Sequence, residues 1–288
     1  MIDGRTRLVG LIGWPVAHSG SPAMHNAAFA ALKLNWSYVP LPVRPEALAA
    51  AVAGLAALGF RGANVTVPHK EAVVPLLDSL SPEAARINAV NTIVVKEDGR
   101  LVGHNTDVAG FIAALRQAGF SPEGRSAVVV GAGGAARAAV HALLAAGAAR
   151  ILILNRSGGR AEKLISELGT DERVQVLPLI PEALVESARD ADLLVNATPV
   201  GLWPKTEESI WPMEVPVPAR ITVFDLVYNP VETLLLRQAR EGGARTIPGL
   251  GMLISQGAAA FRLWTGIDPP LDTMRAACVR TLQEKNDG

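Results

Sequence analysis

The run Val128-Val129-Val130-Gly131-Ala132-Gly133-Gly134-Ala135-Ala136-Arg137 passes from an apolar strand through a glycine turn into an Ala-rich helix. It fits the pattern G-x-G-x-x-A, in which glycines let the backbone turn tightly and approach a pyrophosphate resting on the helix N-terminus. Alone, the pattern is weak, and a bare structural turn would produce it too. A strand before, a helix after and a second strand ending some 24 residues on give it weight. That second strand leads into Asn155-Arg156-Ser157-Gly158-Gly159-Arg160, with no acid before Glu162. NAD sites usually place Asp or Glu here for the ribose 2′-hydroxyl. Arg156 and Arg160 instead offer the fork-shaped cations that a 2′-phosphate needs, which favours NADP over NAD. The competing reading is two surface arginines on a loop.

Outward from this turn, short apolar runs alternate with Ala/Leu-rich segments, the rhythm of α/β architecture with parallel sheets. In the first part, strands are expected at 8–12, 36–41 and 63–67, with helices between them. Ser21-Pro22 opens the first helix, with Ser as N-cap, and a second runs over 45–58 to Gly59. Residues 90–95 and 101–104 flank Glu97-Asp98-Gly99-Arg100, a hairpin-like turn. Asn105-Thr106-Asp107 starts a further helix to about Gly119. After Ser121 the pattern restarts, with strands at 127–130, 151–154, 174–177, 193–196 and 221–225. A final helix is expected over 252–265.

The composition is that of an ordinary globular chain: 288 residues, 49% hydrophobic and 19% charged, enough for one or two domains with a sizeable core. Twenty-seven basic residues balance 27 acidic ones, so no electrostatic case exists for nucleic acid or an anionic membrane surface. The single cysteine, Cys278, excludes an internal disulfide and any multi-Cys metal site. No apolar run approaches the roughly 18 residues of a membrane helix. The N-terminal segment has an early acid and only a short apolar core, unlike a secretory signal. A soluble cytoplasmic protein is expected, with monomer or homodimer left open.

Counting narrows the chemistry. Tyr38 and Tyr228 are the only tyrosines, and neither is followed by Lys four residues on. The histidines at 18, 25, 69, 104 and 141 are scattered, with no cluster suited to catalytic zinc. A metal-free proton shuttle remains. Only 6 of the 27 basic residues are Lys, and one, Lys70, follows the strand-like Asn64-Val-Thr-Val-Pro-His. Lys can give up its proton where Arg cannot. It lies at a strand's C-terminal side, and Pro68 suggests the first turn of a helix, whose dipole would oppose the ammonium charge. Asp107 is the natural partner, although Asn-Thr-Asp before a helix is also capping chemistry. Lys70 could equally be a surface lysine.

In order along nearly the whole chain stand further motifs: Gly13-Trp-Pro-Val-Ala-His-Ser19-Gly-Ser21-Pro-Ala-Met-His25-Asn26, Ala89-Val-Asn91-Thr92, Asn196-Ala-Thr198-Pro and Gly249-Leu-Gly-Met252-Leu-Ile-Ser-Gln256. With the Lys70 stretch, Asn105-Thr-Asp107 and the glycine turn, they resemble the shikimate dehydrogenases. The resemblance implies reversible reduction of 3-dehydroshikimate to shikimate by NADPH, with quinate or NAD use as the neighbouring alternative and a non-catalytic regulator as the remote one. Carried over by position, it implies that Ser19 and Ser21 hold the substrate carboxylate. Thr66, Asn91, Asp107, Tyr228 and Gln256 would hold ring hydroxyls, while Lys70 with Asp107 moves the proton. Gly131, Ala132, Gly133, Gly134, Ala135, Asn155, Arg156, Ser157, Arg160 and Thr198 would bind NADP. Met252 would also bind it, and Leu226 and Gly249 would lie by its nicotinamide. The fold implied is an α/β substrate domain (1–104 and 247–288) and a Rossmann-like parallel-sheet NADP domain (105–246), with a cleft between them. Departures from the family pattern are Gly20 between the serines, Asn88, His104 and Ser157. Gly20 is expected to loosen the carboxylate site, and Asn88 to alter a loop.

Overall fold

Five consecutive buried residues end β1 (Arg7–Gly13), as a strand covered on both faces requires. In this computed structural model, which describes residues 2–169 and 172–286, the chain forms two units. They comprise Met1–Gly110 with Ile254–Gly288, and Phe111–Leu253. The first continues through α1 (Ser21–Ala31), β2 (Trp36–Pro42), α2 (Leu48–Ala57), β3 (Phe60–Val65), β4 (Ser79–Leu80) and α3 (Pro82–Ile87). Then come β5 (Thr92–Val95), β6 (Leu101–His104) and α4 (Asp107–Gln117), whose first residues belong here. The sheet order is β2-β1-β3-β5-β6-β4.

This first sheet is mixed: its first three strands follow the expected parallel pattern, and the expected hairpin turn at 97–100 joins an antiparallel pair. β1 pairs parallel with β2 and β3, but β5 runs antiparallel to both β3 and β6. The short turn between Val95 and Leu101 forces the β5–β6 reversal, since a parallel return needs a long crossover. Ile12, Val52, Leu55, Val65 and Ile93 fill one core of the unit. At about 1.5–3 kcal/mol for each fully buried aliphatic side chain, such packing is the main stabilising term.

Three local details differ from the sequence expectation. The N-cap of α1 is Gly20 rather than Ser21, and it makes no side-chain capping bond. The helix expected over 45–58 begins as a 3₁₀ turn, Pro45–Ala47, before α2. Asn88 takes the left-handed C-cap of α3 at φ 50°, ψ 44°. Asn is the residue other than Gly that tolerates this conformation best, so the substitution preserves the turn.

The second unit holds β7 (Ser126–Val130), α5 (Gly134–Ala145), β8 (Arg150–Asn155), α6 (Gly158–Leu168), β9 (Val174–Pro178) and α7 (Pro181–Arg189). It continues with β10 (Leu193–Asn196), β11 (Thr222–Asp225), α8 (Leu234–Glu241) and β12 (Arg245–Pro248). The order β12-β11-β10-β7-β8-β9 is parallel throughout. Read from β7 outward, it is the doubly wound dinucleotide-binding order, whose direction reverses between β7 and β10. The chain returns to the first unit within α9 (Leu250–Thr265), and α10 (Leu271–Asn286) follows. The helix expected to be final is therefore the penultimate one.

Candidate active site and nucleotide site

Lys70 lies beyond the C-terminal end of β3, in a turn rather than a helix; the nearest helical residues form the short 3₁₀ turn Val74–Leu76. The expected dipole effect on Lys70 is therefore missing from its surroundings. What holds the residue is pairing. Its Nζ lies 2.6 Å from Asp107 Oδ2, with the Lys side chain 16% and the Asp side chain 6% exposed. Its carbonyl accepts from Val90 N, anchoring the turn.

Asp107 sits at the first residue of α4, yet its carboxylate is not a cap. Oδ2 meets Lys70, and Oδ1 accepts from Asn91 Nδ2 at 2.9 Å. Asn105 Oδ1 instead accepts from the Asp107 amide at 3.0 Å, while Asn105 Nδ2 donates to Ala89 O. Asn91 Oδ1 accepts from Thr106 N at 2.7 Å, and Gln256 Oε1 on α9 lies 3.3 Å from Asn91 Nδ2. Lys70, Asn91, Asp107 and Gln256 are thus brought into one network. Thr66 opens the same loop as Lys70, its methyl packed where a side chain at Gly13 would have to go.

Two supporting residues were not singled out from the sequence. Asn64, in the stretch that carries Lys70, is buried: its Oδ1 accepts from Tyr38 Oη at 2.8 Å and its Nδ2 donates to Thr92 Oγ1 at 3.0 Å. Thr106 bridges Asn91 and Gln256. The available signal was their polarity inside otherwise apolar runs, since buried polar groups require partners. Ser19 and Ser21 are buried together, with Ser21 N donating to Ser19 Oγ at 3.1 Å. They follow β1, which is in register with β3.

In the second unit the expected cofactor residues gather at the C-terminal ends of parallel strands, where α/β sheets bind ligands. Gly131 has φ +117°, and a Cβ there would meet Ala197 O at 2.9 Å and Thr198 Cγ2 at 3.3 Å. Gly131 and Thr198 therefore flank the reversal between β7 and β10. Ala132, Gly133, Gly134 and Ala135 lead into α5, whose N-cap Gly133 makes no side-chain bond. A Cβ at Gly133 would meet no protein atom within 4 Å, so this turn offers open backbone amides.

Arg156, Ser157 and Arg160 are exposed around the start of α6, with no acid in its first turn. Asn155 Nδ2 donates to Ser157 O, shaping that turn. The buried Arg137 of α5 pairs with Glu167 of α6 at 2.5 Å, fastening the two helices. Leu226 follows β11, and its carbonyl lies 2.6 Å from where a Gly249 Cβ would stand, which is why position 249 takes no side chain. Met252 is buried on α9, and Tyr228 is half-buried after β11. These residues fit a phosphorylated dinucleotide: free helix amides for the pyrophosphate and exposed guanidinium groups for a further phosphate.

One buried carboxylate lies behind this surface. Asp225 accepts from Asn196 Nδ2 (2.9 Å), Val227 N (3.0 Å) and Thr233 Oγ1 (2.6 Å). Burial pushes its pKa up to about 6, against the opposing pull of those hydrogen bonds. Asn196 Oδ1 in turn accepts from Thr198 N and Oγ1.

Comparison with known proteins gives a consistent picture. Residues 11–93 match the shikimate dehydrogenase substrate binding domain, 113–225 match shikimate / quinate 5-dehydrogenase, and 249–278 match the shikimate 5′-dehydrogenase C-terminal domain. A shikimate dehydrogenase (NADP(+)) from Moorella thermoacetica is 52% identical over 275 residues, covering 95% of this chain and 92% of that protein. A crystal structure of a shikimate dehydrogenase in complex with NADP+ superposes with TM-score 0.89 at 41% identity, covering 98% of both chains. A shikimate 5-dehydrogenase from Thermus thermophilus in complex with NADP(H) and shikimate gives TM-score 0.84 at 44% identity, covering 96% of this chain and 99% of that one.

Proposed function

The chain belongs to the shikimate dehydrogenase family and is an NADP-dependent oxidoreductase acting on a CH–OH group; we propose that Lys70 and Asp107 carry its proton transfer. The reaction is the reversible reduction of 3-dehydroshikimate by NADPH and a proton to shikimate and NADP⁺. The observation that carries the assignment is the 2.6 Å Lys70–Asp107 pair with Asn91 on the second carboxylate oxygen.

The cofactor, when bound, supplies the hydride. As negative charge develops on the carbonyl oxygen, the Lys70 ammonium donates a proton to it, leaving a neutral amine that solvent reprotonates. In the reverse direction the neutral amine takes the hydroxyl proton. Asp107 stabilises the ammonium form and, held on its other oxygen by Asn91, fixes the direction of Nζ. Asn91, Thr66, Gln256 and Tyr228 supply donors and acceptors for ring hydroxyls, and Ser19 and Ser21 hold the carboxylate. The glycine turn 131–135 receives the pyrophosphate, while Arg156 and Arg160 bind the 2′-phosphate, with Asn155 and Ser157 shaping their turn. Thr198, Leu226, Gly249 and Met252 shape the nicotinamide side. A cytoplasmic monomer or homodimer belongs to the same reading.

The test is replacement of Lys70 with both Ala and Arg. Each should lower turnover by about 10²–10⁴-fold, with only modest change in shikimate KM. Arg keeps the cation beside Asp107 but cannot release a proton. Near-normal turnover in either variant would refute the assignment. Assaying shikimate and quinate, each with NADP and NAD, tests substrate and cofactor choice; the curated relatives' name supports shikimate with NADP.

A further inference from the structure

Gly20 sits between the two buried serines, and its backbone does not demand glycine: φ −84° and ψ −9° are ordinary helical values. The space does. A Cβ at position 20 would stand 2.5 Å from Cys278 Sγ on α10, with Leu282 Cδ2 at 3.8 Å. Cys278 and Leu282 are fully buried, so the sulfur cannot swing aside without displacing packed neighbours. Sulfur thus fills the place that a side chain at residue 20 would take. The site expected to be loosened by the small residue is instead packed from below.

Ser21 N donates to Ser19 Oγ at 3.1 Å, and Met24 N donates to Gly20 O at 3.2 Å. The backbone of residues 19–21 is therefore tied to the first turn of α1 and moves with it. α1 packs along α10. A side chain at 20 pushes these two elements apart, and the turn carrying the serines, exposed at Trp14, Pro15 and Ala17, yields before α10, where Cys278 and Leu282 are fully buried.

We infer that Gly20 and Cys278 form a complementary small–large pair: with no side chain at 20 the sulfur packs beneath the turn, and the Ser19 and Ser21 hydroxyls keep their place, which makes Gly20 a positioning residue for the substrate carboxylate. The inference rests on the reading of those serines given above. It couples a departure from the family pattern to this chain's one cysteine.

A double-mutant cycle tests it. Gly20→Ala should raise shikimate KM by about tenfold, with kcat at saturation and NADP KM little changed, since the loss falls on binding of one substrate group away from the reacting carbonyl. Cys278→Ala should change shikimate KM less than twofold. The combination of both should return KM to the Cys278→Ala value, and thermal midpoints should show the same rescue. An unchanged KM in Gly20→Ala, or equal impairment of the single and double variants, would overturn the pairing. Should Gly20→Ala alone not fold, recovery of folding in the double variant supports the coupling and failure of both overturns it. Ser19→Ala and Ser21→Ala separate the underlying reading. If they leave shikimate KM unchanged, the carboxylate assignment fails and takes the positioning role with it, while the thermal midpoints still report the steric pair.

Discussion

Replacing His25 with Phe should flatten the acid side of the stability curve of this protein. His25 is fully buried on α1, stacked against Tyr38 at a centroid distance of 4.5 Å and 4° between planes, with Phe261 at 6.2 Å and Trp264 at 5.5 Å. Neither ring nitrogen has a hydrogen-bond partner among the described residues. Burial lowers its pKa from 6.5 to about 3. The folded state therefore holds the neutral ring, and the unfolded chain takes up a proton first as pH falls. Stability from this group is complete above about pH 6.5 and is lost progressively down to about pH 3. At about 1.36 kcal/mol per pKa unit, the whole window is worth roughly 5 kcal/mol, of which about 2 kcal/mol is lost between pH 7 and pH 5. That is a large share of a typical 5–15 kcal/mol domain stability. Phe keeps a ring in the stack; its extra volume costs about 1–3 kcal/mol at every pH, so the pH dependence is the readout. Urea unfolding at pH 7 and pH 5, followed by tryptophan fluorescence, measures it, since Trp36 and Trp264 belong to the same unit. The wild-type minus variant stability difference should shrink by about 2 kcal/mol on going to pH 5. A difference that is the same at both pH values would refute the reasoning.

Asp225→Asn should show the opposite sign. The folded pKa of about 6 lies above the ordinary 3.8, so the wild type gains roughly 1 kcal/mol over the variant between pH 7 and pH 5, measured by the same titration. Replacing Arg156 and Arg160 together with Ala should raise NADP KM by about 10²-fold or more while leaving NAD use nearly unchanged, in steady-state assays with both cofactors. Gly62→Ala should destabilise the first unit by more than about 3 kcal/mol in urea unfolding, because its Cβ would collide with Ile93 O, a backbone atom that cannot turn away. Ser81→Ala should cost about 1 kcal/mol, read the same way, by removing the N-cap bond from Ala84 N to Ser81 Oγ.

Much of the second unit was legible from local chemistry. The Val128–Arg137 run (128–137) announces a strand, a tight turn and a helix because only glycine takes φ +117° at position 131 and only an apolar run suits a strand buried on both faces. The unshielded arginines at 156 and 160 were likewise visible as a charge pattern. In the first unit, the loop 66–70 was not: Pro68 was read as a helix start, whereas the chain turns irregularly to Val74. The short helices α3, α7 and α8 were passed over because few residues define their periodicity, and α10 because its apolar positions are interrupted by charged ones.

Residue type, then, already said that Lys70 could shuttle a proton and that a phosphorylated dinucleotide suited residues 131–160. Whether Lys70 was a surface amine or half of a pair depended on Asp107, 37 positions away, and on Asn91, which itself reaches Gln256 across 165 positions. Likewise, Gly20 looked like a gap until α10 placed Cys278 beneath it. Propensities and motifs act over a few residues, so they carry the elements and their chemistry. Partners, packing and the burial that moves a pKa are properties of space, and only the folded chain brings those atoms within reach of one another.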